Sequence, residues 1–504
     1  MGILYCARLI ATILVLFANS KFGQCSTNET RIIIIGAGPS GIAAAAKLIE
    51  NGYKNVTILE AEDRIGGRVY TTELGNFSID LGGQWVHGEQ NVVFDIAYPL
   101  GVLDKSDKPE IEFRQEYVDS QGEFLDSELV ANLLEFYDKF VDEGVYKNHT
   151  PHESIGAFIT RKFNDEFKNE SKLTEDSEKY LLNFELAITS LDPAESWNDV
   201  SASSYGYEEG PGDLVVNWKH RGYSTILDIL MKKYPDPAKE LPVMNSTVLG
   251  SEVVKIDYSG DKNDTDIIVT TSAGQIFRGD HVIVTVSLGV LKERHATLFV
   301  PPLPVKKVKT IEGLGFGAAG KIFLLFEEPF WDFGGNRRTY LSFLWNSAQR
   351  ASIETDPERL WLLGMIGVSS VEYKPNLLML WISARFVKMM ENLPEEKVLQ
   401  HATENLERFL GKKYNVTKPI GIKRTQWASN PHFRGSYSFR SVKTEKKNVY
   451  AEDLGEPLDL KNLPILFAGE ATSKNRYGTV DGAIGSGWKA ANAIMNHHKS
   501  AVQA

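Results

Sequence analysis

One short segment near the start of the chain constrains the fold more than any other, a glycine-rich turn between a strand and a helix. Residues 32–35 are a continuous β-branched run, as expected of a strand covered on both faces. Residues 42–48 are rich in alanine and favour a helix. Between them lies Gly36-Ala37-Gly38-Pro39-Ser40-Gly41. This order predicts the strand–turn–helix unit of a nucleotide-binding α/β domain.

Each glycine of the turn has a separate mechanical purpose. Gly36 permits the tight turn, Gly38 lets backbone amides approach a pyrophosphate, and Gly41 lets the helix pack against the strand. The helix N-terminus then stabilises phosphates through its dipole and its unpaired amides. Residues 56–59 predict a second strand, and Glu60 ends it about 20 positions after the last glycine. A carboxylate at this distance accepts hydrogen bonds from ribose hydroxyls. The spacing predicts a dinucleotide site and does not separate FAD from NAD.

Two further segments favour FAD. Residues 61–68 end in Gly-Gly-Arg directly after Glu60, and Arg68 there can place a guanidinium beside a pyrophosphate. The alternative interpretation of Arg68 is an exposed side chain on a surface turn. Near the other end of the chain, residues 467–472 indicate a strand that ends in Gly469 before a helix begins. Such a turn brings amides and Glu470 within reach of a flavin's ribityl chain.

Strand-like segments recur far from the glycine turn, and this predicts a divided domain. They are residues 253–256, 267–270, 282–286 and 465–468, whereas residues 92–199 show more charge and helical periodicity. We expect an α/β fold, with a Rossmann-like FAD-binding domain built from discontinuous segments and an inserted α+β substrate-binding domain. The expected FAD-binding segments are 30–91, 211–300 and 421–504, and the substrate segments are 92–210 and 301–420.

The first residues are typical of a targeting segment. Arg8 precedes an apolar run at residues 9–18, and small or polar residues follow. Because a helix needs about 20 apolar residues to span a bilayer, a cleaved signal peptide at residues 1–25 is favoured over a retained signal-anchor. We therefore expect a secreted protein without a membrane anchor. The only cysteines, Cys6 and Cys25, lie in this segment, so the mature chain has no internal disulfide.

Glycosylation sequons fit the same secretory route. They also arise by chance, so we expect only some of them to be used. Their asparagines are Asn28, Asn55, Asn76, Asn148, Asn169, Asn245, Asn263 and Asn415.

The charge balance bears on possible partners. The net charge is −11 at pH 7, which argues against a nucleic-acid partner and is compatible with a cationic small molecule. No metal site is expected, and the chain is expected to be a monomer or a weak homo-oligomer.

At the residues described so far the sequence resembles a known family, the flavin amine oxidases, and within it the polyamine oxidases of animals. The resemblance is carried by residues 32–88, 251–291, 315–331 and 427–491. It implies FAD as cofactor and a polyamine and O2 as small-molecule partners. The residues expected to bind FAD are Gly36, Gly38, Gly41, Glu60, Arg68, Gly83, Gln84, Trp85, Val254, Trp427, Gly469, Glu470, Thr479 and Val480.

Lys321 is the main catalytic candidate. It enters the apolar segment 322–326, and a lysine at such a position is most often simply solvated. The resemblance favours a function instead, because family members place a lysine here, bonded through water to the flavin N5. Its implied roles are to assist reoxidation of the flavin by oxygen and to hold the hydrolytic water.

Two other side chains are catalytic candidates. His87 follows Trp85 and Val86, and the pattern alone favours a packed or capping histidine. Animal polyamine oxidases have histidine in the matching Trp-x-His-Gly, which implies substrate positioning or proton handling. Glu185 lies in a predicted helix and is a candidate partner for a distal substrate ammonium, the alternative being a surface carboxylate.

Features that the family's other branches carry are missing here. Amino-acid oxidases have an arginine for the substrate carboxylate, whereas this chain has Gly82-Gly83-Gln84-Trp85. Monoamine oxidases attach flavin through a cysteine, whereas Ser436 stands at the matching place, so the FAD is expected to be noncovalent. Thr479 matches the animal polyamine oxidases, but Asp481 and Ile484 depart from their common pattern.

The function expected from these features is oxidation of a polyamine at a secondary amine. The polyamine would be spermine, spermidine or an N-acetylated form, and the imine product would hydrolyse to an aldehyde and a shorter amine while O2 becomes hydrogen peroxide. Two alternatives remain open: another secreted small-amine or L-amino-acid oxidase, or an inactive binding protein that retains flavin.

Overall fold

The computed structural model describes residues 29–106, 112–139, 149–170, 173, 176–203, 211–260, 266–331, 337–459 and 464–503. The expected signal peptide, both cysteines and the sequon asparagines Asn28, Asn148 and Asn263 lie outside these residues. Within them, no helix is long and apolar enough to cross a membrane.

The strands are numbered in chain order. They are β1 (Arg31–Ile35), β2 (Asn55–Leu59), β3 (Thr71–Leu74), β4 (Phe77–Asp80), β5 (Glu112–Asp119), β6 (Thr247–Val248), β7 (Val253–Asp257), β8 (Ile267–Thr271), β9 (Ile276–Gly279), β10 (His281–Val284), β11 (Phe299–Val300), β12 (Gly315–Gly317), β13 (Gly320–Leu325), β14 (Arg337–Leu344), β15 (Met365–Val371), β16 (Lys374–Ile382), β17 (Gly421–Arg424), β18 (Tyr437–Phe439) and β19 (Ile465–Phe467).

The α-helices are numbered in the same way. They are α1 (Pro39–Glu50), α2 (Val92–Ala97), α3 (Ser127–Tyr137), α4 (Ile155–Glu166), α5 (Ser177–Leu191), α6 (Thr225–Leu230), α7 (Leu288–Leu298), α8 (Val305–Gly313), α9 (Ser347–Glu354), α10 (Ala384–Glu391), α11 (Glu395–Leu410), α12 (Val442–Lys447), α13 (Ala451–Gly455) and α14 (Val480–Gln503).

A parallel sheet carries the glycine turn. Its strand order is β19-β10-β1-β2-β6, and β1 pairs in parallel with both β2 and β10. The isoleucines of β1 are buried on both faces of the sheet: Ile32 and Ile34 pack in the core that includes α1 and α14, and Ile33 and Ile35 pack in the core that includes β7 and β8. The strands come from residues 31–59, 247–248, 281–284 and 465–467. The expected α/β class and the discontinuous Rossmann-like domain are confirmed.

A second sheet separates strands that the sequence had grouped together. Its order is β11-β7-β8-β9, with β7 and β8 antiparallel, whereas β10 joins the parallel sheet. The prediction for residues 253–286 therefore found β7, β8 and β10 but missed β9. It could not divide the strands between sheets, since partner choice depends on distant segments.

The inserted domain is built around a six-stranded sheet in the order β17-β13-β16-β15-β14-β5. Most neighbours are antiparallel, but β5 pairs in parallel with β14. Strand β5 lies in the region that we expected to be helical. In this sheet Lys321 of β13 lies opposite Trp381 of β16. The expected α+β character of the inserted domain is confirmed, while the exact domain boundaries stay a prediction.

Candidate active site

A cavity of about 910 Å³ lies where the parallel sheet and the six-stranded sheet approach each other. Its wall includes Ile35, Leu59 and Thr285 at the carboxyl ends of the parallel strands, and Lys321 and Trp381 from the six-stranded sheet. Ligands of open α/β sheets bind outside the carboxyl ends of the strands. Both domains therefore contribute to one site at the place where a dinucleotide is expected.

The glycine turn has the geometry that its sequence predicts. Gly36 has φ +108°, and a Cβ on Gly41 would lie 2.0 Å from the carbonyl oxygen of Gly36. A Cβ on Gly38 would meet nothing within 4 Å, so the backbone there is open to the cavity. Gly36 and Gly38 line the wall, while Gly41 lies behind it and lets α1 pack closely. The turn thus leaves room for a ligand where a larger residue would fill it.

The N-terminus of α1 is suited to an anion. Its N-cap is Gly38, no side chain caps it, and its first turn has no acidic residue. The first amides of a helix have no partner within the helix, and its dipole places partial positive charge there. A pyrophosphate would satisfy these groups.

Glu60 lies at the end of β2, beside the turn. Its carboxylate accepts hydrogen bonds from the amides of Ala37 at 2.6 Å and Glu62 at 2.9 Å. Burial raises the pKa of Glu60, and the two amide donors oppose that shift. The amides fix the carboxylate on the cavity wall, in the position expected of a ribose acceptor.

Arg68 and Glu470 form one unit. Arg68 donates from Nη1 to Glu470 Oε1 at 2.9 Å and to the carbonyl of Ser436 at 2.7 Å. Glu470 Oε2 accepts from the Ser438 hydroxyl and from the amide of Gly478 at 2.8 Å. Both residues line the cavity, but each is the other's partner, which neither sequence segment revealed.

Lys321 is buried, and its ammonium group faces oxygen atoms. Nζ donates to the carbonyls of Asp80 at 3.1 Å and Gly82 at 2.7 Å, and to Gln84 Oε1 at 2.9 Å. Burial lowers the pKa of Lys321, and the Asp80 carboxylate opposes the shift. The three acceptors also oppose it, because only the protonated amine has three hydrogens to donate.

Two indole rings complete the surroundings of Lys321. Trp85 and Trp381 stack with centroids 6.1 Å apart, and Nζ lies 5.8 Å and 5.3 Å from them. A cation near aromatic faces is stabilised electrostatically. Behind these rings a smaller cavity of about 130 Å³ shares Gln84, Trp85 and Trp381 with the large one.

His87 lies on the wall with one nitrogen occupied. Its Nδ1 is 2.7 Å from the carbonyl oxygen of Leu214, so Nδ1 carries the hydrogen in the neutral ring. The His87 carbonyl accepts from Arg476, whose Nε donates to Asp481 at 2.6 Å. Asp481, where the sequence departs from the family pattern, is therefore engaged by an arginine at this part of the wall.

The remaining predicted residues divide into two groups. Those that line the cavity are Gly83, Gln84, Trp85, Trp427, Gly469, Thr479 and Val480. Val254 is not among the described lining residues, although its neighbours Glu252 and Val253 are. Glu185 is not among them either, because its carboxylate accepts from the Ser196 hydroxyl at 2.9 Å instead. The structure does not bring Glu185 to the cavity.

The wall residues that the sequence did not predict include Trp381, Tyr437 and Asp192. Trp381 reaches the site because it lies opposite Lys321 in the sheet, and this pairing cannot be recognised from the sequence. Tyr437 directly follows Ser436, and no motif in the sequence marks it as part of a site. Asp192 precedes a proline at the end of α5, where an aspartate normally signals only the end of a helix.

Comparison with known proteins decides the family. The model of the family described as flavin containing amine oxidoreductase matches residues 39–495. The chain belongs to this family. The cofactor of this amine oxidoreductase is FAD, and the open glycine turn, the uncapped helix and the fixed Glu60 carboxylate fit the dinucleotide.

Individual relatives and a solved structure agree with the family. The peroxisomal N(1)-acetyl-spermine/spermidine oxidase of Bos taurus is 29% identical, over 92% of this chain and 94% of that protein. Polyamine oxidase 1 of Oryza sativa subsp. japonica is 27% identical, over 94% and 98%. A putrescine oxidase redesigned in cofactor binding superposes with a TM-score of 0.64 at 20% identity, covering 93% of this chain and 99% of that one. The last comparison supports the fold.

Proposed function

We propose that this amine oxidoreductase oxidises a polyamine at a secondary amine. The amine loses two electrons and two protons to become an imine, water cleaves the imine to an aldehyde and a shorter amine, and O2 takes the electrons and protons as hydrogen peroxide. FAD, when bound, supplies the redox chemistry. The observation that carries the proposal is the buried Lys321 ammonium on the cavity wall, as the family resemblance of the sequence implies.

The charges of the wall support an amine in preference to an amino acid. Two arginines are among the described lining residues, and both are already paired with carboxylates, Arg68 with Glu470 and Arg294 with Glu252. A substrate carboxylate would compete with those partners for its counter-ion. The net charge of −11 also attracts cations from solution.

The chain's own residues would orient the amine and handle water. His87 has Nε2 available at the wall to accept a proton or a hydrogen bond, since Nδ1 is held by Leu214. Lys321 Nζ donates its three hydrogens to protein oxygen atoms. Rotation of the Gln84 amide would free one of these hydrogens to donate a hydrogen bond to the hydrolytic water. The indoles of Trp85 and Trp381 keep this corner largely apolar.

A product analysis tests the proposal. Purified holoenzyme is given spermine, spermidine, a monoamine and an L-amino acid, and peroxide is measured while products are identified by mass spectrometry. We expect peroxide and a shortened amine from the polyamines. Faster oxidation of the amino acid would contradict the proposal. A flavin spectrum that spermine does not bleach without oxygen would show that spermine is not oxidised, as expected of an inactive protein that retains flavin.

We further propose that the FAD is noncovalent. Ser436 lines the cavity at the place where relatives with attached flavin have a cysteine, and its hydroxyl bonds the protein, accepting from the Ala319 amide at 2.9 Å. Acid precipitation should therefore release all flavin into the supernatant, where its absorbance is measured. Flavin that stays with the precipitate would contradict this.

We also propose that the protein is secreted, as the apolar run at residues 9–18 suggests. Sequon asparagines Asn76, Asn245 and Asn415 are exposed and lie outside helices α1–α14 and strands β1–β19, which suits them as glycan acceptors. Sequencing the mature N-terminus of protein from the culture medium tests the route.

A further inference from the structure

Among the residues that the structure describes, five carboxylate side chains line the cavity, and one of them differs from the rest. Four have protein partners: Glu60 accepts from backbone amides, Glu252 pairs with Arg294, Glu470 pairs with Arg68, and Asp481 pairs with Arg476. The fifth is Asp192. Among the described residues, none donates a hydrogen bond or forms an ion pair with its side chain.

The backbone holds Asp192 firmly in place. Its amide donates to the carbonyl of Ile188 at 2.8 Å, and its own carbonyl accepts from Ala194 at 2.6 Å. Pro193 follows, so closely packed on Gly317 that a Cβ there would lie 1.8 Å from the Pro193 carbonyl oxygen. Because this segment cannot swing outward without breaking these contacts, the carboxylate stays on the cavity wall.

An unpaired carboxylate at such a place is unfavourable without a ligand. Asp192 is half-buried, and its burial raises its pKa to about 7 because the ionised form is less well hydrated there than in water. The hydroxyl of Tyr437 does not relieve it, because that group donates to the carbonyl of Ser190 at 2.9 Å. A cation that entered the cavity would satisfy the carboxylate.

The neighbouring wall suits an aliphatic chain. Tyr137, Tyr437, Leu191 and Leu214 line the cavity together with Asp192. Leu191 and Leu214 are 61% and 39% exposed, so this part of the wall is near the opening to solvent. Aromatic and leucine side chains pack on methylene groups, and they leave Asp192 as the ionic contact of the region.

We propose that Asp192 binds an unacylated ammonium group of the substrate other than the amine that is oxidised. The substrate is then an aliphatic amine with at least two positive charges, and acylation of its terminal amines removes the contact. The inference rests on the proposed function and adds to it the part of the substrate that must be free. Asp192, and not Glu185, is then the carboxylate that contacts this ammonium group, because Glu185 accepts a hydrogen bond from the Ser196 hydroxyl.

The test crosses one substitution with one substrate change. Spermine and N1,N12-diacetylspermine are titrated calorimetrically into holoenzyme whose flavin has been reduced with dithionite under nitrogen, so that binding is measured without turnover. Asp192→Asn should weaken spermine binding on the order of 10- to 100-fold, the size of one hydrogen bond to a charged group, and leave the diacetylated probe unchanged. Asp192→Glu should keep part of the preference for spermine.

The control is Glu195→Gln, which removes the same charge from an exposed side chain three residues away. It should bind both probes as the parent protein does. Equal spermine affinity in the parent and in Asp192→Asn, each with full flavin content, would overturn the inference. Turnover is then measured in air: absence of turnover with every polyamine would overturn the proposed function alone, because the binding results are independent of it.

Discussion

The ammonium group of Lys321 is buried where a charge is normally unfavourable, and three oxygens with two indole rings offset that cost. The protein contains a second lysine in a similar state. Lys307 is buried and donates to the carbonyls of Asp453, Leu454 and Glu456. Of these two lysines only Lys321 lines the cavity, so a comparison of the two distinguishes the chemical role that we propose for Lys321 from a structural role.

We predict that Lys321→Met slows turnover by about 100-fold or more, the usual size of lost proton and water handling. Reoxidation of reduced flavin by oxygen, followed by stopped-flow absorbance, should slow with it. Lys307→Met also leaves three carbonyls without a donor, but it should affect thermal stability and leave the reoxidation rate as it was. Equal rates in the parent and in Lys321→Met would show that the lysine has no part in the chemistry.

Glu60 illustrates a residue whose position on the cavity wall the sequence predicts well. Glu60→Gln removes the charge that two amides hold on the wall and should weaken FAD binding on the order of 10-fold, by loss of charge-assisted hydrogen bonds. The dissociation constant is measured by flavin fluorescence on adding FAD to apoprotein. Asp63→Asn changes an exposed carboxylate nearby and should bind FAD normally. If both variants bound FAD alike, the carboxylate would not contact the cofactor.

At the scale of elements, helix α14 packs on the parallel sheet through a histidine pair. His498 Nε2 lies 2.9 Å from His281 Nε2 of β10, so one ring donates and the other accepts. Burial, and then the nearby His281 and His497, lower the pKa of His498 to about 4, while Asp280 opposes the shift. A second proton on the pair would put two donors face to face.

This pair gives the fold a pH dependence whose sign follows from the lowered pKa. Between pH 4 and 6.5 the folded chain binds fewer protons at His498 than the unfolded chain does. The contribution of His498 to the free energy of unfolding is therefore fully present above pH 6.5 and is lost as the pH falls towards 4. Melting temperatures at pH 7 and pH 5 should differ by less in His498→Phe, whose ring still packs near Tyr53. An unchanged pH dependence in that variant would exclude the pair as its source.

The elements that the sequence predicted are those whose cause is local. The strand at residues 31–35, the turn and helix α1 follow from β-branched residues, glycines and alanines in order, and they match the structure. Strand β5 was missed because its pairing with β14 depends on residues far along the chain. Local patterns record propensity, whereas partners in a sheet are decided by packing.

The same distinction applies to the site. Gly36, Glu60, Arg68 and His87 belong to motifs with a fixed spacing, and all four reach the cavity. The Arg68–Glu470 pair forms, and the carboxylate of Asp192 reaches the cavity, only when distant segments of the chain come together. No motif spacing in the sequence therefore predicts them. Glu185 shows the converse, because a neighbouring turn provides Ser196 as its partner.

At the scale of the whole molecule, two domains each supply half of the site. The FAD-binding domain presents amides and a carboxylate to phosphate and ribose, and the inserted sheet presents Lys321 and Trp381. Neither surface alone encloses a cavity of about 910 Å³. The cavity therefore depends on docking of the domains, which explains why the residues of the candidate site are dispersed along the sequence.

Exposed sequon asparagines on the surface of the molecule give a prediction about its passage through the secretory pathway. Exposed Asn76, Asn245 and Asn415 should carry N-glycans in protein recovered from the medium of secreting eukaryotic cells. Treatment with a peptide N-glycosidase should lower the mass, and each Asn→Gln variant should lose one glycan's share, whereas Asn392→Gln, an exposed asparagine outside any sequon, should not. A mass that the glycosidase leaves unchanged, with residues 1–25 still attached, would contradict the secretory route.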